Sequence, residues 1–293
     1  MMGDPSPKNT LYRRRGPGGL TLLCLEHMSG YRVTVSEYGA QVLSWTDPKN
    51  EELLFLSTAA TFAIGKAIRG GIPVVFPQFG KGALPSHGFA RTSMWEIFRE
   101  EARESGPVSV GMRLRPNGET SKIWPHQFVA ELKLELSETL TLELRVSNHG
   151  AEPFSFRAAL HTYFGVDDIE RCSIEGLRGV SYIDFLRDRN VAVEESEAVR
   201  LGGPTDRAYR DSPGVISLQD RGRARSFQIQ KQGFHDTVVW NPWSEGNATL
   251  ADLAPGSWRS MVCVESGSVL DDIRISPGET HVSTQILSVA TMG

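Results

Sequence analysis

The sequence predicts an all-β protein built as a large antiparallel β-sandwich, and three observations carry that expectation. Apolar and polar residues alternate with period two along most of the chain, helical periodicity is scarce, and 29 Gly and 16 Pro provide frequent turns. A strand with one apolar face must bury it, and a second sheet stacked on the first is the usual solution. A length of 293 residues suits one large domain.

Residues 1–19 read as a flexible tail, with 20–293 as the single ordered domain. Asp4, Pro5 and Pro7 stand where a secretory leader would need its apolar run, and Arg13-Arg14-Arg15 leads into Gly16-Pro17-Gly18-Gly19. That basic run reads as a solvated cluster, against a nucleic-acid arm or part of a transit peptide. Beyond it, Tyr31, Val33 and Val35 alternate with Arg32, Thr34 and Ser36, and Val108, Val110, Met112 and Leu114 repeat the pattern. Leu132, Leu134 and Leu136 are followed, after Ser137-Glu138-Thr139, by Leu140, Leu142 and Leu144, which predicts a hairpin with one apolar face. Trp95–Ser105 fits either a strand or a short helix. Further strands are expected at Phe154–Ala158, Ser226–Lys231, Thr237–Trp240, Met261–Glu265 and Val282–Leu287.

Composition narrows the function. The 35 acidic and 31 basic residues give a net charge of −4, so no global basic field holds nucleic acid or an anionic membrane. No run of about 18 apolar residues is present to span a bilayer. Cys24, Cys172 and Cys263 form no CxxC motif and fit reduced thiols in a cytoplasmic protein. A monomer is the default expectation. GxSxG, Walker, HExxH and dinucleotide signatures are absent, and Pro73 follows Gly70-Gly71 where a phosphate loop would open a helix. The histidines are scattered, and Asp167-Asp168 alone reads as a solvated turn. No metal or cofactor is expected.

Five segments combine reactive side chains with unusual surroundings. Arg69 lies in Ala67-Ile68-Arg69-Gly70-Gly71-Ile72-Pro73, which runs on through Val74-Val75-Phe76-Pro77-Gln78-Phe79-Gly80. A half-buried Arg needs an anionic partner, either a structural carboxylate or an anionic ligand. Arg91 ends Ser86-His87-Gly88-Phe89-Ala90-Arg91, a second loop of the same kind. Two guanidinium forks converging on one spot would suit a phosphate. His161 follows an apolar strand, and Asp206 sits in Thr205-Asp206-Arg207. Glu265 shares a face with Met261 and Cys263, so its carboxylate is either paired with a core Arg or held as a base with a shifted pKa.

Together these pieces resemble the glucose-6-phosphate 1-epimerases, a branch of the aldose 1-epimerase (galactose mutarotase-like) group. The resemblance rests on Ile-Arg-Gly-Gly-Ile-Pro, Phe-Pro-Gln-Phe-Gly and Ser-His-Gly-Phe-Ala-Arg. It extends to Leu-His-Thr-Tyr-Phe at 160–164, Thr-Asp-Arg at 205–207, Val-Val-Trp-Asn-Pro-Trp at 238–243 and Met-Val-Cys-Val-Glu at 261–265. It implies a β-supersandwich, with His161 as general acid and Glu265 as general base. Arg69 and Arg91 would contact phosphate and sugar, Asp206 would hold ring hydroxyls, and Ser86 would occupy a substrate-contact position. His87 would lend at most a hydrogen bond. The implied partner is a small hexose 6-phosphate, whose α- and β-anomers interconvert by ring opening between an acid and a base placed on either side of the sugar. Trp243, Phe79 and Phe89 are candidate aromatics for its apolar face. The competing readings are an aldose 1-epimerase for unphosphorylated sugars and a non-catalytic sugar-binding module on the same sandwich.

Overall fold

In the computed structural model, residues 8–292 are described; the Asp4, Pro5 and Pro7 reading lies outside them. Strands dominate. A four-stranded antiparallel sheet holds Thr10–Arg15, Thr21–Glu26, Arg32–Ser36 and Val42–Thr46. A nine-stranded sheet runs in the order Ala198–Val199, Cys172–Glu175, Val215–Asp220, Arg225–Gln232, Thr280–Thr291, Leu140–Asn148, Phe128–Leu136, Val108–Leu114, Glu96–Ala102. An eight-stranded sheet runs Asn190–Val193, Ser181–Asp184, Thr205–Tyr209, Asp236–Asn241, Met261–Ile275, Phe154–Leu160, Val74–Val75, with Tyr163–Gly165 also paired to Met261–Ile275.

Alternation decides which side chains meet. Leu132, Leu134, Leu142, Leu144 and Leu287 of the nine-stranded sheet share one buried cluster with Phe156, Ala158, Leu160, Val239, Val262 and Val264 of the eight-stranded sheet. The residues between them on the eight-stranded sheet, including Ala159, Ala208, Val238 and Val269, form a separate cluster on its other face. Successive strand residues point to opposite faces, so this second face is where the intervening polar side chains emerge. The leucine hairpin forms as the pattern predicts, with Leu136 opposite Leu140.

The differences are local. Thr10–Arg15 is a strand paired along its length with Thr21–Glu26, and Arg13 reaches Glu100 at 2.9 Å, so this part of the supposed tail is ordered. Its alternation is masked by three consecutive arginines on an exposed edge. The ambiguous Trp95–Ser105 stretch is a strand over Glu96–Ala102, held by Val108–Leu114. Asp167 and Asp168 are met by Arg171 and Arg259, and no cluster of metal-binding side chains occurs among the described residues. All three cysteines are buried and free.

Candidate active site

The second face of the eight-stranded sheet floors a cavity of about 660 Å³, and Arg69, Ser86, Arg91, His161, Asp206 and Glu265 all line it. Their sequence separation is closed by sheet pairing. Val238 lies opposite both Ala208 and Glu265, and Trp240 lies opposite both Asp206 and Cys263. Side chains directly opposite one another share a face, so Asp206 and Glu265 emerge together. His161 follows Phe154–Leu160, and its backbone N–H donates to Pro73 O at 3.0 Å.

The centre of the cavity is an imidazole–carboxylate contact. His161 Nε2 lies 3.3 Å from Glu265 Oε1, with side chains 8% and 1% exposed. Such burial disfavours both charges. The His161 pKa is driven well down by burial and then by His87, Arg91 and Arg69. That of Glu265 is driven well up by burial and then by Asp206, with Arg91 opposing. His161 Nδ1 and Glu265 Oε2 are buried without a protein partner. The imidazole lies flat on Tyr163, with centroids 4.7 Å apart and planes at 9°, and Trp240 meets it edge-on at 6.2 Å. These groups touch each other directly; they do not stand on opposite sides of a sugar-sized gap.

Glycine geometry sets Arg69. Gly71 has φ 65°, and a Cβ there would sit 2.0 Å from Val42 O, so only glycine lets this loop lie against the neighbouring strand. The Arg69 guanidinium donates to Asp252 Oδ1 from Nε at 3.2 Å and Nη2 at 3.1 Å, and from Nη1 to Tyr163 Oη at 2.9 Å. Of the two partners the sequence left open, it therefore already has a structural carboxylate, while it lines the same cavity as Arg91. Arg91 differs. Its Nη2 donates to the Ser86 carbonyl at 2.8 Å, while Nε is buried without a partner, and burial lowers its pKa. Ser86 thus contributes its backbone to Arg91, with its side chain exposed.

Asp206 is pushed up to about 6 by burial and then by Asp184. His87 stands edge-on to His161 at 5.6 Å and to Phe79 at 4.9 Å. Its pKa falls to about 3 through burial and the charges of Arg91 and Arg69, so it is neutral at physiological pH. Of the candidate aromatics, Phe79 lines the cavity. Phe89 is instead packed on Phe76, and Trp243 on Trp258. Trp240 takes the place intended for them.

Asp252, Tyr163, Trp240, Lys81, Arg157 and Arg189 were not singled out by sequence reasoning. Asp252 carries no local signal, since it meets Arg69 across 183 residues of chain. Arg157 was findable: it lies on the His161 face of its strand, two residues before Ala159. Arg157 pairs with Asp272 at 2.6 Å. Among the described residues no carboxylate pairs with Lys81, Arg91 or Arg189, which leaves the cavity with unneutralised positive charge.

Two stacked sheets carrying a polar cavity on the outer face of one of them define a galactose mutarotase-like β-sandwich. The aldose 1-epimerase family model matches residues 21–288, and the chain belongs to that family of isomerases. A relative from Cenchrus ciliaris, provisionally named a glucose-6-phosphate 1-epimerase, is 37% identical, covering 94% of this chain and 86% of its own. One of the same name from Escherichia coli K12 is 31% identical, covering 94% of this chain and 93% of its own. A crystal structure from Salmonella typhimurium, provisionally named a mutarotase, superposes with a TM-score of 0.89 at 28% identity, covering 98% of this chain and 95% of that one.

Proposed function

We propose that this chain interconverts the α- and β-anomers of a hexose 6-phosphate, with D-glucose 6-phosphate as the reference substrate. The observation that carries the reading is the His161–Glu265 contact inside a cavity with surplus positive charge. The names of the relatives point to the same substrate.

Burial removes one charge of each sign, so the two side chains together hold one titrating proton near neutral pH. It resides either on Glu265 as a neutral acid or on His161 as an imidazolium. In the second form Glu265 takes the proton from the C1 hydroxyl while His161 gives one to the ring oxygen. The C1–O5 bond breaks with its electrons going to O5, and C1=O1 forms. The aldehyde turns about C1–C2. His161 then removes the O5 proton, Glu265 returns one to O1, and O5 closes on the other face of C1. The proton count is unchanged over the cycle. Direct contact between acid and base suits this chemistry, because O1 and O5 are bonded to the same carbon. Each positioned transfer contributes about 10²–10⁴-fold.

Asp206 accepts hydrogen bonds from ring hydroxyls, Trp240 and Phe79 cover apolar sugar faces, and Arg91 offers its spare donors to the phosphate. Arg69, held by Asp252, faces the sugar more than the dianion. That ion pair favours a second reading, an epimerase for neutral aldoses. Anomer exchange followed by NMR on glucose 6-phosphate and on glucose separates the two. Faster exchange of the phosphorylated sugar is expected, and a clear preference for free glucose removes the assignment.

A further inference from the structure

We propose that Gln285, on the sheet that does not carry the cavity, is a positioning residue for His161, acting through Thr162 across the interior of the sandwich. Its effect on rate rests on the proposed reaction, while the placement of the imidazole can be read without it.

Gln285 departs from the pattern of its own strand. Along Thr280–Thr291 the side chains of Ser283, Gln285 and Leu287 take the buried side, and Gln285 lies opposite Leu142 of the neighbouring strand. Alternation calls for an apolar residue there. Gln285 and Thr162 are both 0% exposed. The Gln285 amide Nε2 donates to Thr162 Oγ1 at 2.9 Å, and that hydroxyl donates to Gln285 Oε1 at 3.3 Å or to Leu160 O at 3.5 Å. Leu142 and Leu287 on one side, and Leu160, Phe164 and Val264 on the other, belong to the apolar cluster between the sheets. One polar link therefore crosses this core and ends on the residue that follows the imidazole. Burying an amide and a hydroxyl costs desolvation that their mutual hydrogen bonds roughly offset, so two apolar side chains of the same shape would serve stability as well. The segment that the link holds supplies a different reason for it.

Thr162 sits at a break in the pairing with Met261–Ile275. Leu160 lies opposite Ser266 and Tyr163 opposite Cys263, so the count runs through and sets His161 against Glu265 and Thr162 against Val264. Thr162 O accepts from Val264 N at 3.2 Å, as a ladder requires, but Thr162 N–H turns back to Leu160 O at 3.0 Å. A hydrogen bond between residues two apart closes a γ-turn, here centred on His161. The turn lifts His161 out of the regular strand, and its aim depends on where Thr162 is held. Successive residues point to opposite faces, so fixing the Thr162 side chain on the inner face directs His161 into the cavity on the outer one. There its Nε2 lies 3.3 Å from Glu265 Oε1. The far nitrogen, Nδ1, has no hydrogen-bond partner among the described residues. The ring is therefore oriented by the turn and by its stacking on Tyr163, the residue directly after Thr162.

Thr162→Val and Thr162→Ser separate the hydroxyl from the shape: Val keeps the shape and loses the link to Gln285, and Ser keeps the link and loses a methyl group. A misplacement of about 1 Å can cost up to about 10²-fold, so kcat for glucose 6-phosphate is expected to fall about tenfold or more in Thr162→Val, with KM within about twofold, and to stay near wild type in Thr162→Ser. Thr162→Val also leaves the Gln285 amide unpaired and should lower the thermal midpoint. The double variant Thr162→Val, Gln285→Leu removes both polar partners, so its midpoint is expected to return toward that of the wild type while kcat stays low. The nitrogen chemical shifts of the His161 imidazole, followed by NMR against pH, are expected to move in Thr162→Val and in the double variant and to hold in Thr162→Ser. That measurement needs no substrate: a wild type without anomer exchange removes the proposed reaction, whereas unmoved imidazole signals remove the positioning role. A double variant that regains both midpoint and kcat, or Val and Ser variants that lose rate equally, overturns the proposal and leaves the pair as packing.

Discussion

Replacing Glu265 by Gln separates a poised base from a structural ion-pair partner, because the two roles predict opposite stability changes. Glu265 Oε1 touches His161 Nε2 at 3.3 Å, and Oε2 is buried without a protein partner. Removing one member of a structural buried ion pair typically costs about 3–5 kcal/mol. At roughly 2 °C per kcal/mol for a chain of this size, the midpoint would fall by about 6–10 °C. Here burial already pushes the carboxyl toward its neutral form. Gln keeps the shape and an amide within reach of the imidazole and removes only an ionisable group that burial disfavours. The expected thermal midpoint of Glu265→Gln is therefore equal to or above that of the wild type. Turnover loses a positioned proton transfer of about 10²–10⁴-fold, equivalent to about 3–5 kcal/mol. Differential scanning calorimetry and NMR anomer exchange of glucose 6-phosphate measure the two quantities. A variant that loses several degrees, or that exchanges anomers within tenfold of wild type, refutes the assignment.

Other variants and conditions read neighbouring parts of the site. Asp252→Asn keeps an acceptor for Arg69 but removes a negative charge beside the cavity. At about 0.5–1 kcal/mol for a partly exposed pair, KM for glucose 6-phosphate should fall roughly two- to fivefold, and an unchanged or raised KM contradicts this. Gly71→Ala places a Cβ 2.0 Å from Val42 O at φ 65° and should lower the thermal midpoint, with the backbone conformation alone costing about 1–3 kcal/mol; an unaltered melting curve argues against the close approach. With Asp206 raised from 3.8 to about 6, the carboxylate proposed to accept sugar hydroxyls is lost as pH falls through 6, so KM should rise on acidification. The stability sign is opposite. The folded chain keeps a proton that the unfolded chain releases near 3.8, so this contribution is full below that pH and lost as pH rises through 6; the thermal midpoint against pH measures it, and KM against pH measures the binding effect, with flat profiles through 6 refuting the shift.

The fold was legible wherever alternation was clean. Leu132 to Leu144 and Val108 to Leu114 predict their own strands and faces, because a sandwich buries one side of each. Short strands such as Ser181–Asp184 and Asn190–Val193 escape, since neither has enough residues to reveal a period. Glu265 was legible for a related reason: an acid among Met261 and Cys263 is placed on a buried face by period two alone, and that face carries Tyr163 and Leu253. The Arg69 partner was not. Whether a half-buried guanidinium meets ligand or protein is decided by tertiary structure, here a single aspartate in the loop after Trp243–Asn247. The direct His161–Glu265 contact was likewise invisible, because chemistry fixes what an acid and a base must reach and leaves their mutual distance open.

In the proposed reaction, that contact would give the phosphate a task beyond anchoring. Burial and His87, and after them Arg91 and Arg69, depress the proton affinity of His161, while burial and Asp206 raise that of Glu265 against Arg91, so the shared proton favours Glu265. The ring-opening step described above needs it on His161. A dianion seated against both arginines would raise the proton affinity of both groups, and more for His161, on which both arginines act, so it would shift the shared proton toward the group proposed to donate it. The substrate then prepares its own acid. If so, removing the phosphate lowers turnover as well as affinity, and supplying it as a separate piece restores part of that loss. Glucose should exchange anomers slowly even at saturation, and inorganic phosphate or phosphite should raise its saturated rate before competing at higher concentration. A saturated rate for glucose that equals the rate for glucose 6-phosphate, or that phosphite only lowers, would leave the dianion as an anchor and nothing more.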